Sequence, residues 1–357
     1  MAARAPRVAK LTASAATATA LSVLGGMVLV AGPAVGAESR SGRAPTWCKA
    51  PGPLDSRALP SRISLSECDL RDRVIEGLNG ASVQVPARGS DTSAVTAHVL
   101  QAHGASALSV RIDAGGRTLT ISEHSQKHLD GRPRRPAAPQ DACQDTAWAA
   151  HGLGSWPRGS TIPWRFFQGP DIDGVADERA VVTAGVERAV TATTDCRPGG
   201  RFTPAPNIHH RFDGTTSAAP NTDGGMCTAR DGTNSFGWVD MGSVERDTLA
   251  VSCTWQSWRA TVEGDIALQS HGKAWWTPRE PRSEGGTAIP GCPAGSFEPT
   301  SAVVHEMLHV LGLQHVSGQS HAALTMAPSI NSCDDRAATL GLGDYQGLME
   351  LYGTAGA

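Results

Sequence analysis

The sequence is poor in charge and in aromatic rings other than tryptophan: charged residues make up 18% of the 357, and there are only two Tyr and six Phe. A formal net charge of -3 provides no basic surface for neutralising phosphates, which argues against a nucleic-acid partner. A hydrophobic fraction of 40% is too high for a disordered polyelectrolyte. The eight cysteines contain no CxxC pair, so a zinc ribbon is not expected. Beyond the first forty residues no run is apolar enough to span a bilayer, and there is no internal repeat.

What is abundant is turn-forming residues: 40 Gly and 23 Pro predict a loop-rich globular chain, with nine Trp supplying most of the large-ring packing. Arg4, Arg7 and Lys10 precede an uncharged stretch from Leu11 to Gly32, and Val35, Gly36 and Ala37 stand before Glu38. This is the pattern of a secretory signal peptide over residues 1–37. The stretch is rich in Ala, Thr, Ser and Gly rather than Leu and Ile, which disfavours an uncleaved anchor. Cleavage removes three cations and no acid, leaving a more acidic extracellular protein, expected to be a monomer with no membrane contact.

An even set of cysteines in an exported chain favours disulfides. Sequence neighbourhood suggests the pairs Cys48 with Cys68, Cys143 with Cys196, Cys227 with Cys253, and Cys292 with Cys333.

Residues 38–131 form a first segment, in which Ala107–Asp113 and Arg117–Ser122 flank Gly115-Gly116 as a hairpin. The proline- and arginine-rich run around 132–142 reads as a linker, and its Arg134-Arg135 is either a processing site or a solvated basic stretch. The main domain, residues 143–357, opens with a strand at Thr161–Phe167 and a helix within Val175–Thr194. Short strands are expected at Ile208–Phe212, Phe236–Met241, Thr248–Trp255 and Asp265–Gln269. A second helix, capped by Thr300 or Ser301, stops at Gly312, and a third begins at Asp344 and ends at Gly353.

The segment His305-Glu-Met-Leu-His309-Val-Leu-Gly312-Leu-Gln-His315 carries the chemistry. On a helix, His305 and His309 leave one face about 6 Å apart along the axis and can converge on one cation. A third ligand six residues on requires the chain to turn sharply, which Gly312 permits by adopting a left-handed conformation. Three neutral imidazoles suit Zn2+ in a site that leaves a fourth position to water. Glu306, beside the first ligand, is positioned as general base toward that water. The expected reaction is peptide-bond hydrolysis by metal-activated water, without a covalent intermediate.

The extended histidine motif followed by Leu324-Thr-Met326-Ala-Pro328 resembles the signature and Met-turn of the metzincin metallopeptidases. Leu340–Gly353 resembles the closing helix of the matrixin branch, Trp156–Phe166 its first strand, and Glu263–Leu268 with Trp275-Trp276-Thr277 its edge-strand region. The resemblance covers about residues 143–353. It implies an α+β fold, with a twisted, mostly parallel sheet, an antiparallel edge strand, an active-site helix and a closing C-terminal helix, preceded by a small β-rich N-terminal propeptide or accessory domain. It also implies Met326 as the floor beneath the metal ligands, and a protein or peptide substrate lying extended and antiparallel to the edge strand. Pro328 stands where astacins place a tyrosine ligand, and Cys48 lacks the matrixin cysteine-switch context.

Two other functions are weighed: a secreted binding module in which zinc only stabilises the fold, and a zinc amidase of cell-wall peptides. His209 and His210 point to opposite faces of a strand, so neither is a shared ligand. His321 is expected to be a loop residue. Asp223-Gly-Gly and Asp231-Gly-Thr-Asn fit a Ca2+ loop or, more simply, turns.

Overall fold

Residues from the first segment and from the main domain build one sheet. The computed structural model describes residues 45–127, 139–242, 247–258, 260–278 and 291–354. The proposed signal peptide and Arg134-Arg135 lie outside these residues.

In chain order the sheet's strands are β1 (Arg62–Ser64), β2 (Ala94–Gln101), β3 (Gly104–Ile112), β4 (Thr118–Lys127), β5 (Thr161–Phe167), β6 (His209–Thr216), β7 (Ser235–Val239), β8 (Thr248–Gln256) and β9 (Thr261–Gln269). Their spatial order is β6-β5-β7-β9-β8-β2-β3-β4-β1. The pairings from β6 to β9 are parallel, and those from β9 through β8 to β1 are antiparallel. The chain is therefore of mixed α and β build, with a large mixed sheet and few helices.

Two expectations about this sheet are corrected. It is not mostly parallel, and antiparallel β8 is not an edge, because all eight residues of β2 lie alongside it. Glu263–Leu268, expected in the edge region, belongs to β9, which is flanked on both sides. Nothing in the sequence pattern announced β2. Both of its faces are buried, so the alternation of polar and apolar residues that marks a half-exposed strand is missing.

The sheet separates two apolar clusters. On one face Ile162, Trp164, Phe236, Ile266 and Leu268 pack with helices α1 (Glu178–Val190) and α2 (Pro299–Val310). On the other, Val95, Ala97, Val99, Val251, Cys253 and Trp255 pack with Ile75 and Val83 of a small five-stranded sheet. Period-two alternation in β2 and β8 thus sends Val99 and Val251 away from α2, and His98 and Ser252 toward it.

Asp177 caps α1 by accepting the Ala180 N–H at 2.8 Å. The cap of α2 is neither Thr300 nor Ser301 but Glu298, whose carboxylate accepts the N–H groups of both. Pro299, with its φ already suited to a first helical turn, sets the start two or three residues earlier than expected. The third helix, α3 (Leu342–Tyr352), also starts before the expected Asp344 and ends at Gly353.

Two glycines let α2 approach closely. A Cβ on Gly185 of α1 would lie 2.4 Å from Val303 Cγ1, and one on Gly264 of β9 would lie 2.7 Å from Val310 Cγ1. The disulfides are Cys48–Cys68, Cys143–Cys196, Cys227–Cys253 and Cys292–Cys333. Among the described residues no helix is long and apolar enough to cross a membrane.

Candidate metal centre

The C-terminal end of α2 sets the geometry. The orphan carbonyls of a helix end need donors; here Trp156 Nε1–H reaches the Val310 oxygen at 3.1 Å and the Tyr352 hydroxyl reaches the Leu311 oxygen at 2.6 Å. Gly312 then adopts φ 107°, in the region that favours glycine, and a side chain there would also crowd Leu351 and Ser155. The chain turns back, Leu313–Gln314 pairs with Ala149–Ala150, and His315 is delivered to the two helical histidines.

The Nε2 atoms of His305, His309 and His315 lie 3.0–3.2 Å from one another, and all three residues are buried. Among the described residues this is the one group of three or more His, Cys, Asp or Glu side chains close enough to hold a metal ion. His305 Nδ1 donates to the Thr325 carbonyl at 2.7 Å, and His309 Nδ1 donates to that of Leu313 at 2.9 Å. Those bonds assign the proton to Nδ1 and turn the Nε2 lone pairs inward. Lone pairs converging in a buried space repel unless a cation lies between them. Three nitrogens each bound to a tetrahedral zinc stand about 3.3 Å apart, so the cluster fits that ion.

Burial pulls His305 down to about 4 and holds His309 and His315 well below the usual imidazole value, keeping the rings in the neutral, metal-binding form. Burial raises Glu306 to about 8, against a hydrogen bond from the Ser252 hydroxyl to its Oε2. Its Oε1 is buried with no hydrogen-bond partner.

Met326 is buried in the apolar cluster that includes Met307 and Leu308 of α2. The turn that carries it hangs on Asp344: one carboxylate oxygen accepts the N–H groups of Thr325 and Gly341 at 3.0 and 2.9 Å, and the other accepts that of Met326 at 3.2 Å. Asp344 thereby positions the carbonyl that holds His305.

Three residues of this environment were missed by sequence reasoning: Ser252, Asp344 and His98. His98 projects from β2 and stacks on His309, with ring centroids 3.9 Å apart and planes within 7°. Neither of its ring nitrogens has a hydrogen-bond partner. Asp344 had a local signal, an acid in the first turn of a helix; the other two are placed only by strand pairing.

The remaining candidates lie elsewhere. His209 is exposed on β6, while His210 bridges Glu187 at 2.7 Å and the Trp164 N–H at 3.2 Å. His321 contacts Asp145 at 2.8 Å. Asp231 accepts the N–H of Thr233, a turn role, and among the described residues neither it nor Asp223 joins a convergent group of acids, so the Ca2+ loop gains no support. No family model and no curated protein matches this sequence.

Proposed function

We propose that this protein is an exported zinc-dependent endopeptidase, similar to the matrixin branch of the metzincins over residues 143–353. The observation that carries the reading is the convergence of three Nε2 atoms at 3.0–3.2 Å, with Glu306, the residue that follows the first of these histidines, buried and holding one carboxylate oxygen unused. His305, His309 and His315 hold the metal. When bound, zinc acidifies a water and polarises a carbonyl. Glu306 accepts the proton of the attacking water and returns it to the leaving amine. Thr325, Leu313 and Asp344 fix ring orientation, and Met326 lies in the apolar packing that includes Met307 and Leu308 of α2. Four disulfides fit an extracellular location, as does the N-terminal signal pattern.

One observation favours the alternative of a binding module with a structural zinc: all three histidines and Glu306 are buried. Glu306→Gln separates the two. In a peptidase the variant keeps one equivalent of zinc and loses about 10²–10⁴-fold of its casein-hydrolysing activity. A wild-type protein that holds zinc yet cleaves neither casein nor unstructured peptides, with its N-terminal segment intact or severed, overturns the proposal.

A further inference from the structure

Six acids are buried among the described residues: Asp145, Glu263, Asp265, Glu298, Glu306 and Asp344. A buried acceptor left without a donor is costly, and five of the six avoid that cost by engaging both carboxylate oxygens. Their donors are mostly backbone N–H groups of nearby turns and helix starts. Glu306 differs on both counts. Its Oε2 takes a side-chain hydroxyl from another element, that of Ser252, and its Oε1 has no partner among the described residues.

We infer that Ser252 is the positioning residue of the general base: its hydroxyl holds Oε2, sets the plane of the carboxylate, and leaves Oε1 as the atom that takes the proton. This rests on the endopeptidase reading and assigns the proton-accepting atom within it.

The last torsion of a glutamate side chain is broad and twofold, so an unanchored carboxylate can turn and offer either oxygen. One hydrogen bond to a charged acceptor is strong enough to remove that freedom. A second donor, of the kind that completes Glu298 and Asp344, would occupy the oxygen needed for chemistry. A single anchor therefore suits a base, whereas full pairing suits a cap or a brace.

Ser252 can serve as that anchor because its backbone is held on every side. At this position β8 pairs with Ile266 of β9 and with His98 of β2. The next residue, Cys253, is tied to Cys227 within the apolar cluster on the opposite face of the sheet. A slip of β8 by one residue would turn Val251 or Cys253 toward α2, and neither carries a hydroxyl. A group fixed on a strand is placed more precisely than one on a loop, as a base aligned to within a fraction of an ångström requires.

The test is a double-variant cycle on the full chain, zinc-loaded, both intact and cut between residues 127 and 139. Wild type, Ser252→Ala, Glu306→Gln and the double variant are compared by steady-state cleavage of a fluorogenic peptide, with zinc affinity and thermal midpoint measured on each. The inference expects Ser252→Ala to lower kcat about 10–100-fold, with KM and the Kd for zinc within about twofold of wild type. Ser252→Thr, which keeps the hydroxyl on a strand that welcomes β-branched residues, should recover most of the loss. In the Glu306→Gln background, Ser252→Ala should change kcat by less than about twofold, because no base is left to position. A role confined to packing would lower both backgrounds by the same factor. That result, or a Ser252→Ala protein that turns over like wild type, overturns the assignment while the peptidase reading stands. If wild type holds zinc and cleaves nothing in either form, the peptidase reading fails and the inference with it.

Discussion

His98 lies face to face with His309, the two rings 3.9 Å apart at their centroids although the residues come from opposite ends of the chain. The contact couples a histidine of the candidate metal centre to the first segment. Burial holds His98 well below the usual imidazole value, so it covers the cluster as a neutral ring and adds no repulsive charge. His98→Ala should open a path to the ligands without removing any of them. Zinc stoichiometry should stay at one, while extraction by a chelator, followed with a colorimetric indicator, accelerates several-fold. An unchanged extraction rate would show that the ring shields nothing.

Removing the metal should cost stability, because three inward lone pairs then face each other in a buried space. A ligand that binds only the folded state at 100 times its Kd stabilises by about 2.7 kcal/mol. We expect chelator to lower the thermal midpoint and zinc to restore it. His315→Ala should abolish the zinc-dependent increment, and a variant that keeps it would sink the three-ligand assignment.

Asp344 gives a pH signature distinct from that of the ligands. Burial raises its carboxyl from 3.8 to about 6 in the folded protein, even with three N–H groups donating to it. A raised folded value means that the native state binds more protons between these limits, so the contribution of Asp344 to stability is greatest below 3.8 and is lost as pH rises through about 6. Relative to Asp344→Asn, wild type should lose up to about 3 kcal/mol between pH 3.5 and 7, read by urea unfolding at stepped pH. Parallel profiles for the two proteins would refute this.

The Gly185 contact predicts a steric coupling. Adding a methyl group 2.4 Å from Val303 forces α1 and α2 apart, and overpacking of this kind costs about 1–3 kcal/mol. Val303→Ala in the same chain should recover part of that loss, so the double variant is more stable than the sum of the single effects implies. Additive effects would mean that the helices have room to move.

The legible parts of the fold were those with local signals. Strand β5 and helices α1 to α3 followed from alternation, helical spacing and end glycines, and the convergence of the three histidines followed from an i, i+4 pair with a turn-forming Gly312 before His315. Cap position was less legible, since Glu298 takes a place where Ser and Thr are usual. Least legible were the contacts made by distant pairing. Ser252 reaches Glu306 because β8 crosses over α2, and His98 reaches His309 because a weakly patterned strand lies beside β8. No spacing along the chain encodes either contact.

Every residue of β8 is buried, and Val251, Cys253 and Trp255 give one of its faces a strongly apolar character. Without β2, this strand would present a long row of open N–H and C=O groups with no charged or proline gatekeeper, a template for pairing with another copy. β2 covers that template, and a protein severed between residues 127 and 139 should clump at concentrations where the unbroken chain stays dispersed.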